Sequence, residues 1–310
     1  MSRLTILDGI LLWVTDSPQP IRKRFKVYMT KTRSLLAIFA HPDDESYSTS
    51  GTLATYAAKD VEVNLVCATR GERGRISDPS LAFPDNLGAV REEELREACR
   101  VMGIHQPHIL GYHDSGMSGT KDSQNRLCLH MADPEEVVGK LVKIIRQLQP
   151  EVIITFDQQG EHNPDHLAIS RYSTRAFQAS GDPAMYTEQL TGSTAEPYSP
   201  HRLFYIAIPH SRVEALTKAI PEEDLPDDQE IKPEDIGTAD DNVTVEMNIT
   251  NMYQTKRNAI ASHRTQQRPT DFFNRLPENL ARQFFSIEYF LQALPKTDPS
   301  TRYSDLFEGL

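Results

Sequence analysis

From residue 34 onward strand and helix signals alternate four times: a short, mostly apolar run, a loop, then a segment with helical spacing. The runs are residues 35–40 (LLAIFA), 61–69 (VEVNLVCAT), 108–111 and 151–156 (EVIITF). A strand with one wet face alternates apolar and polar side chains. The first run does not alternate, so it reads as a strand covered on both faces; the second is rich in β-branched residues, and the last two read as further short strands. The helical segments between them are 52–58, 89–102, 135–148 and 166–177. In the second, Leu95, Ala98, Cys99 and Met102 share a stripe; in the third, Val137, Val138, Leu141, Ile144, Ile145 and Leu148 do. Gly103 and Pro150 stop these two helices. The alternation predicts a Rossmann-like three-layer α/β fold, with a mostly parallel sheet and helices on both faces.

Beyond these units, residues 183–200 read as a polar loop, 203–208 and 243–249 as strands, 252–263 as a helix and 285–294 as a last apolar segment. Residues 221–241 are acidic and carry Pro221, Pro226 and Pro233, which predicts an exposed loop. Residues 1–33 differ from the rest: an apolar stretch, Pro18 and Pro20, then Arg22, Lys23, Arg24 and Lys26. They are expected to form an N-terminal extension, an arm or a docked strand, without a catalytic role. The expectation is this extension plus a single α/β domain over 34–310, a length ample for one large core.

Several function classes lack their residues. With 33 basic against 44 acidic side chains the net charge is −11, which argues against nucleic acid or an anionic membrane as partner. Cys67, Cys99 and Cys128 include no C-x-x-C pair, excluding a disulfide framework and a cysteine-rich zinc site. The apolar stretch at 4–14 is too short to span a bilayer, is interrupted by Asp8 and lacks signal-peptide flanks, so a cytoplasmic protein is expected. The sequons at Asn242 and Asn248 then read as chance matches. No G-x-G-x-x-G, Walker, G-x-S-x-G or H-E-x-x-H motif occurs, so dinucleotide, nucleotide-triphosphate, serine-esterase and zincin chemistry are unsupported.

What the chain does carry sits directly after its first and fourth strands, where open α/β sheets build their sites. His41-Pro42-Asp43-Asp44-Glu45-Ser46 follows the first, and residues 157–166, ending Asn163-Pro164-Asp165-His166, follow the fourth. Either loop alone reads as a helix cap beside a surface histidine. Together they supply His41, Asp44 and His166, two imidazoles and a carboxylate, the donor set of an open catalytic zinc site. Iron, cobalt or manganese accept the same donors.

The chain resembles the LmbE/PIG-L family of metal-dependent N-deacetylases, which includes the deacetylase and the conjugate amidase of mycothiol metabolism. The resemblance rests on AHPDDES (40–46), TRGERG (69–74), REEELREACRVMGI (91–104), LGYHDSGM (110–117), NPDHLAIS (163–170) and SHRTQ (262–266). It implies zinc held by His41, Asp44 and His166, with Asp43 as the general base that takes a proton from the attacking water. It implies substrate contacts from Arg70 and Asp114, with Ser46 and His113 counted among them. The chain departs from the family's H-P-D-H at Asn163, with a histidine one place earlier at His162. Either residue is a candidate oxyanion donor, His162 being preferred, and Asp165 is expected to orient an imidazole. A turn aspartate is the competing reading of Asp114, and an ion pair with Glu72 or a helix carboxylate that of Arg70. His113 stands where relatives often have arginine. His105 and His108 read as ordinary residues, and His263 either lines the cleft or ends a helix. The implied function is a zinc-dependent hydrolase that deacetylates an N-acetyl amino sugar or a related small amide. Cleavage of a thiol-sugar conjugate and a non-catalytic sugar-binding relative are the alternatives. A homo-oligomer is left open.

Overall fold

The computed structural model describes residues 3–7, 10–14, 32–120, 122–159, 163–191, 195–219, 237–298 and 300–310. The chain divides into two units, 1–33 and 34–310. In the first, β1 (Arg3–Leu7) and β2 (Ile10–Val14) pair antiparallel, Arg3 opposite Val14 and Leu7 opposite Ile10. The two strands form a hairpin within the N-terminal extension. The basic run at 22–26 lies outside the described residues, as do residues 221–236 of the acidic stretch.

The larger unit is built on a seven-stranded sheet. Its strands are β3 (Ser34–Phe39), β4 (Glu62–Thr69), β5 (His108–Tyr112), β6 (Val152–Thr155), β7 (Arg202–Ala207), β8 (Val245–Asn248) and β9 (Ile287–Leu294). Their order is β5-β4-β3-β6-β7-β9-β8. From β5 to β7 all neighbours run parallel, and β9 is antiparallel to both β7 and β8. Every residue of β3 and β6 is buried, as their unbroken apolar runs require. Burial alternates along β8, the edge strand. The insertion of β9 between β7 and β8 is invisible in its own sequence, because it depends on a partner more than 80 residues away.

The helices are α1 (Asp44–Ser48), α2 (Ser50–Ala57), α3 (Leu87–Met102), α4 (Pro134–Leu148), α5 (Pro164–Ala179), α6 (His210–Ala219), α7 (Tyr253–Ser262), α8 (Phe272–Arg275) and α9 (Glu278–Phe285). From β3 the chain steps outward to β4 and β5, then returns to the other side of β3 for β6 and β7. Right-handed crossovers in opposite directions put their helices on opposite faces. Accordingly α2, α3 and α7 pack together, and α4 packs with α5. α3 ends where Gly103 turns left-handed at φ 73°, and α4 starts at Pro134 with the Asp133 side chain capping Glu135 N–H. Buried Glu288 of β9 accepts the Gly51 and Thr52 N–H groups of α2 (3.0 and 2.7 Å) and meets Lys256 Nζ of α7 at 2.6 Å, joining three elements. The reversal of direction falls between β3 and β6, whose carboxyl ends carry the two histidine loops. No helix among the described residues is long and apolar enough to cross a membrane.

Candidate metal centre and active site

His41 lies two residues beyond β3, Asp44 opens α1, and His166 is the third residue of α5. Their donor atoms converge. His41 Nδ1 is 3.2 Å from His166 Nε2, His166 Nε2 is 3.2 Å from Asp44 Oδ1, and His41 Nδ1 is 3.6 Å from Asp44 Oδ2. Ligands about 2.0–2.1 Å from a tetrahedral ion stand roughly 3.3 Å apart, so this set fits a divalent metal. The centre is built locally on both sides. The Asp44 carboxylate accepts His41 N–H at 2.8 Å, and the His166 ring stacks on Phe156, centroids 3.9 Å apart. Burial pushes the Asp44 pKa upward, but His166 and His41 overcome it and hold the carboxyl far below its usual range.

The other nitrogen of His41 faces acceptors only: Asp165 Oδ2 at 3.4 Å and Asp114 Oδ1 at 3.6 Å. Nε2 therefore carries a proton and Nδ1 presents its lone pair to the centre, the tautomer a ligand needs. His41 with Asp114 and Asp165 forms a second close trio of metal-binding residue types. Its carboxylates are already committed to the backbone. Asp165 accepts Ser115 N–H (2.8 Å) and His130 N–H (3.3 Å), and Asp114 accepts Gly116 N–H (2.7 Å) and Arg73 N–H (3.1 Å). That leaves the trio built to face His41 Nε2, with fewer free oxygens for an ion than the first set offers. Burial opposes ionisation of Asp114, yet its hydrogen bond to His41 and the backbone donors bring its pKa down to about 2.

Asp43 adopts φ 105°, ψ −28°, a conformation that costs a residue with a Cβ on the order of 1–3 kcal/mol. Its Oδ2 is 3.2 Å from Nη2 of Arg91, an α3 residue whose side chain is 4% exposed. Burial pushes the Asp43 pKa up to about 6, with Arg91 pulling down and Asp44 pushing up. Its backbone N–H donates to Glu45 Oε2 at 3.1 Å, while Glu45 Oε1 meets His263 Nε2 at 2.8 Å.

The PIG-L model, described as GlcNAc-PI de-N-acetylase, matches residues 36–177, the stretch that carries all of these groups but His263. A 1D-myo-inositol 2-acetamido-2-deoxy-alpha-D-glucopyranoside deacetylase of Thermobifida fusca is 33% identical over 89% of this chain and 99% of its own length. The chain belongs to the PIG-L family. Another relative of the same description, from Thermomonospora curvata, is 34% identical over 90% of this chain and 97% of its own. Among solved structures, N,N'-diacetylchitobiose deacetylase from Pyrococcus horikoshii superposes with a TM-score of 0.61, covering 84% of each chain at 23% identity, a likeness of fold. As a PIG-L member this chain is an amide-hydrolysing enzyme.

Within this PIG-L site the remaining candidates separate. Ser46 is wholly buried, with its hydroxyl 2.5 Å from Glu45 Oε1 and 3.2 Å from His263 Nε2, so its side chain is engaged in the interior. Asp114 is buried as well, its oxygens meeting two backbone donors and His41. Arg70 is at the rim, 47% exposed, and Nε pairs with Glu92 of α3 at 2.5 Å, a helix carboxylate. His113 is 49% exposed with Nδ1 3.2 Å from Glu72. Asn163 is the N-cap of α5; its Oδ1 accepts the N–H groups of Asp165 (2.9 Å) and His166 (3.4 Å). Asn followed by Pro at the first helical position is a legible cap signature. His162 lies outside the described residues. His263 ends α7 and is fully buried, so it does not line the cleft. His105 pairs with Glu62, and His108 lies on β5. Sequence reasoning assigned no role to Arg91 or Glu94; their spacing of three on α3 was the available signal.

Proposed function

We propose that this chain is a zinc-dependent deacetylase of an N-acetylglucosamine-type conjugate, the substrate class named for its relatives. The observation that carries this reading is the convergence of His41, Asp44 and His166 beside the arginine-bound carboxylate of Asp43. Zinc bound there would lower the pKa of water and polarise the acetamide carbonyl. Asp43 accepts the proton of the attacking water and returns it to the leaving amine. Asn163 Oδ1 caps the first turn of α5, and the second oxyanion donor is assigned to the neighbouring His162, with the Asn163 NH₂ as the other candidate. Asp165 holds His41 in its binding tautomer. Arg70 and His113, exposed on the rim, contact substrate hydroxyls. Three buried, unpaired thiols support a cytoplasmic setting. A complete ligand set with a base beside it argues against the binding-only alternative.

The test is acetate and amine release from 1D-myo-inositol 2-acetamido-2-deoxy-α-D-glucopyranoside and a panel of other N-acetylglucosaminides. Metal content is measured alongside. Asp43→Asn should keep the metal and lose about 10²- to 10⁴-fold in kcat. A metal-loaded native chain that releases no amine from any of these amides would overturn the reading.

A further inference from the structure

Asp43 holds a left-handed backbone without being glycine, and two buried devices converge on it. The first is Arg91. Its Nη2 donates to the Pro42 carbonyl and stands 3.2 Å from Asp43 Oδ2, while Nη1 donates to the Gly71 carbonyl at 2.7 Å. The TRGERG segment is shaped around this guanidinium: a Cβ would come within 2.1 Å of Nη1 at Gly71 and 2.4 Å at Gly74. The second is Glu45, which accepts the Asp43 N–H and is itself fixed by His263. One turn along α3 from Arg91, Glu94 accepts the N–H (2.9 Å) and hydroxyl (2.6 Å) of Thr265, two residues after His263. A single helix face thus braces Asp43 directly through Arg91, and braces the segment bearing His263 through Glu94. The hydrogen bonds of the Arg91 and His263 side chains go to groups other than the donor atoms of His41, Asp44 and His166.

We propose that Arg91 and the Glu45–His263 pair are positioning residues for Asp43, holding its backbone left-handed and its carboxylate in one orientation toward the metal centre. The proposal rests on the reading of Asp43 as the proton acceptor. A side chain that acts through another loses its effect once that other is disabled, which a double-mutant cycle measures directly.

Kinetics are read on the zinc-loaded full chain with 1D-myo-inositol 2-acetamido-2-deoxy-α-D-glucopyranoside, with metal content measured for every variant. Arg91→Ala should lower kcat roughly ten- to a hundred-fold, a part of the span typical of general-base loss. KM should stay within about twofold and the zinc content should match the native chain. In an Asp43→Asn background the same replacement should cost nothing further. Added guanidinium ion should restore part of the Arg91→Ala activity and none of the Asp43→Asn activity. An equal kcat loss in both backgrounds, or none in the native one, overturns the proposal. If Arg91→Ala does not fold, Arg91→Lys goes through the same cycle; it keeps the charge but cannot bond both carbonyls. Native kcat in metal-loaded Asp43→Asn is a separate outcome, which removes Asp43 as the base. A readout independent of turnover is the structure of metal-free Arg91→Ala and Glu45→Ala. Residue 43 should leave positive φ in at least one; a φ near 105° in both overturns the backbone half.

Discussion

Replacing Asp165 with asparagine keeps the side chain's shape and removes one of its two acceptor oxygens. The native carboxylate uses both: Oδ2 takes Ser115 N–H and faces the His41 ring, and Oδ1 takes His130 N–H. An amide can keep its oxygen on Ser115 and His41, which drives its NH₂ against the His130 N–H. Turned over, it drives the NH₂ against Ser115 N–H and leaves His41 Nε2–H without an acceptor on this side chain. Asp165 is fully buried, so water does not replace the lost partner. Losing a buried hydrogen bond to a charged group costs about 1.5–3 kcal/mol of stability. Outer partners of ligating histidines are worth about 10- to 100-fold in metal affinity, or about 1.4–2.8 kcal/mol. The expected result for Asp165→Asn is weaker zinc binding of that size, measured by competition with a chromophoric chelator at neutral pH. Urea unfolding of the metal-free protein should show the stability loss separately. A folded variant with native zinc affinity would refute the claim that Asp165 sets the His41 tautomer.

His166→Ala leaves two protein donors at the centre, so tight zinc binding should be lost while the chain stays folded; near-stoichiometric metal after dialysis would remove His166 from the ligand set. Lys256→Met strands the buried Glu288 carboxylate without its cation and should destabilise the chain by about 3–5 kcal/mol in urea. A loss under about 1 kcal/mol would mean that the two α2 amides suffice. Burial lowers the His263 pKa, but Glu45 outweighs it and the net shift is upward. The pair's contribution is then fully present below the unfolded histidine's pKa of about 6.5 and fades as pH rises through the folded value. His263→Asn should accordingly destabilise the chain more in mild acid than in base, and an equal cost at both ends would contradict this.

The centre of the parallel half of the sheet was legible because β3 and β6 are covered on both faces and say so in unbroken apolar runs, whereas β5, at the edge, is half-exposed and its run is short. The convergence of His41, Asp44 and His166 was legible because they sit within a few residues of strand ends, where the topology brings loops together. What the sequence hid depends on closure at long range. Asp114 looked like a turn residue at a substrate rim, and it is one, but its carboxylate turns inward to His41 because Arg73 and Gly116 amides hold it there. Ser46 shares a motif with the ligands, yet α1 starts at Asp44 and carries Ser46 to the inner side against His263. Arg91 lies in a stretch rich in charge that reads as a solvated helix face, and only folding shows the space that Gly71 and Gly74 leave for it.

The candidate metal ligands are each fixed by the fold: a peptide N–H on Asp44, a ring stacked on His166 and a buried carboxylate facing His41. Two imidazoles and a carboxylate accept several divalent ions, so the ion bound is ranked by the composition of the surrounding free pool as much as by intrinsic affinity. The same polypeptide produced in cells of different metal nutrition would then carry different ions and turn over at different speeds. Its specific activity becomes a readout of metal supply as well as of sequence.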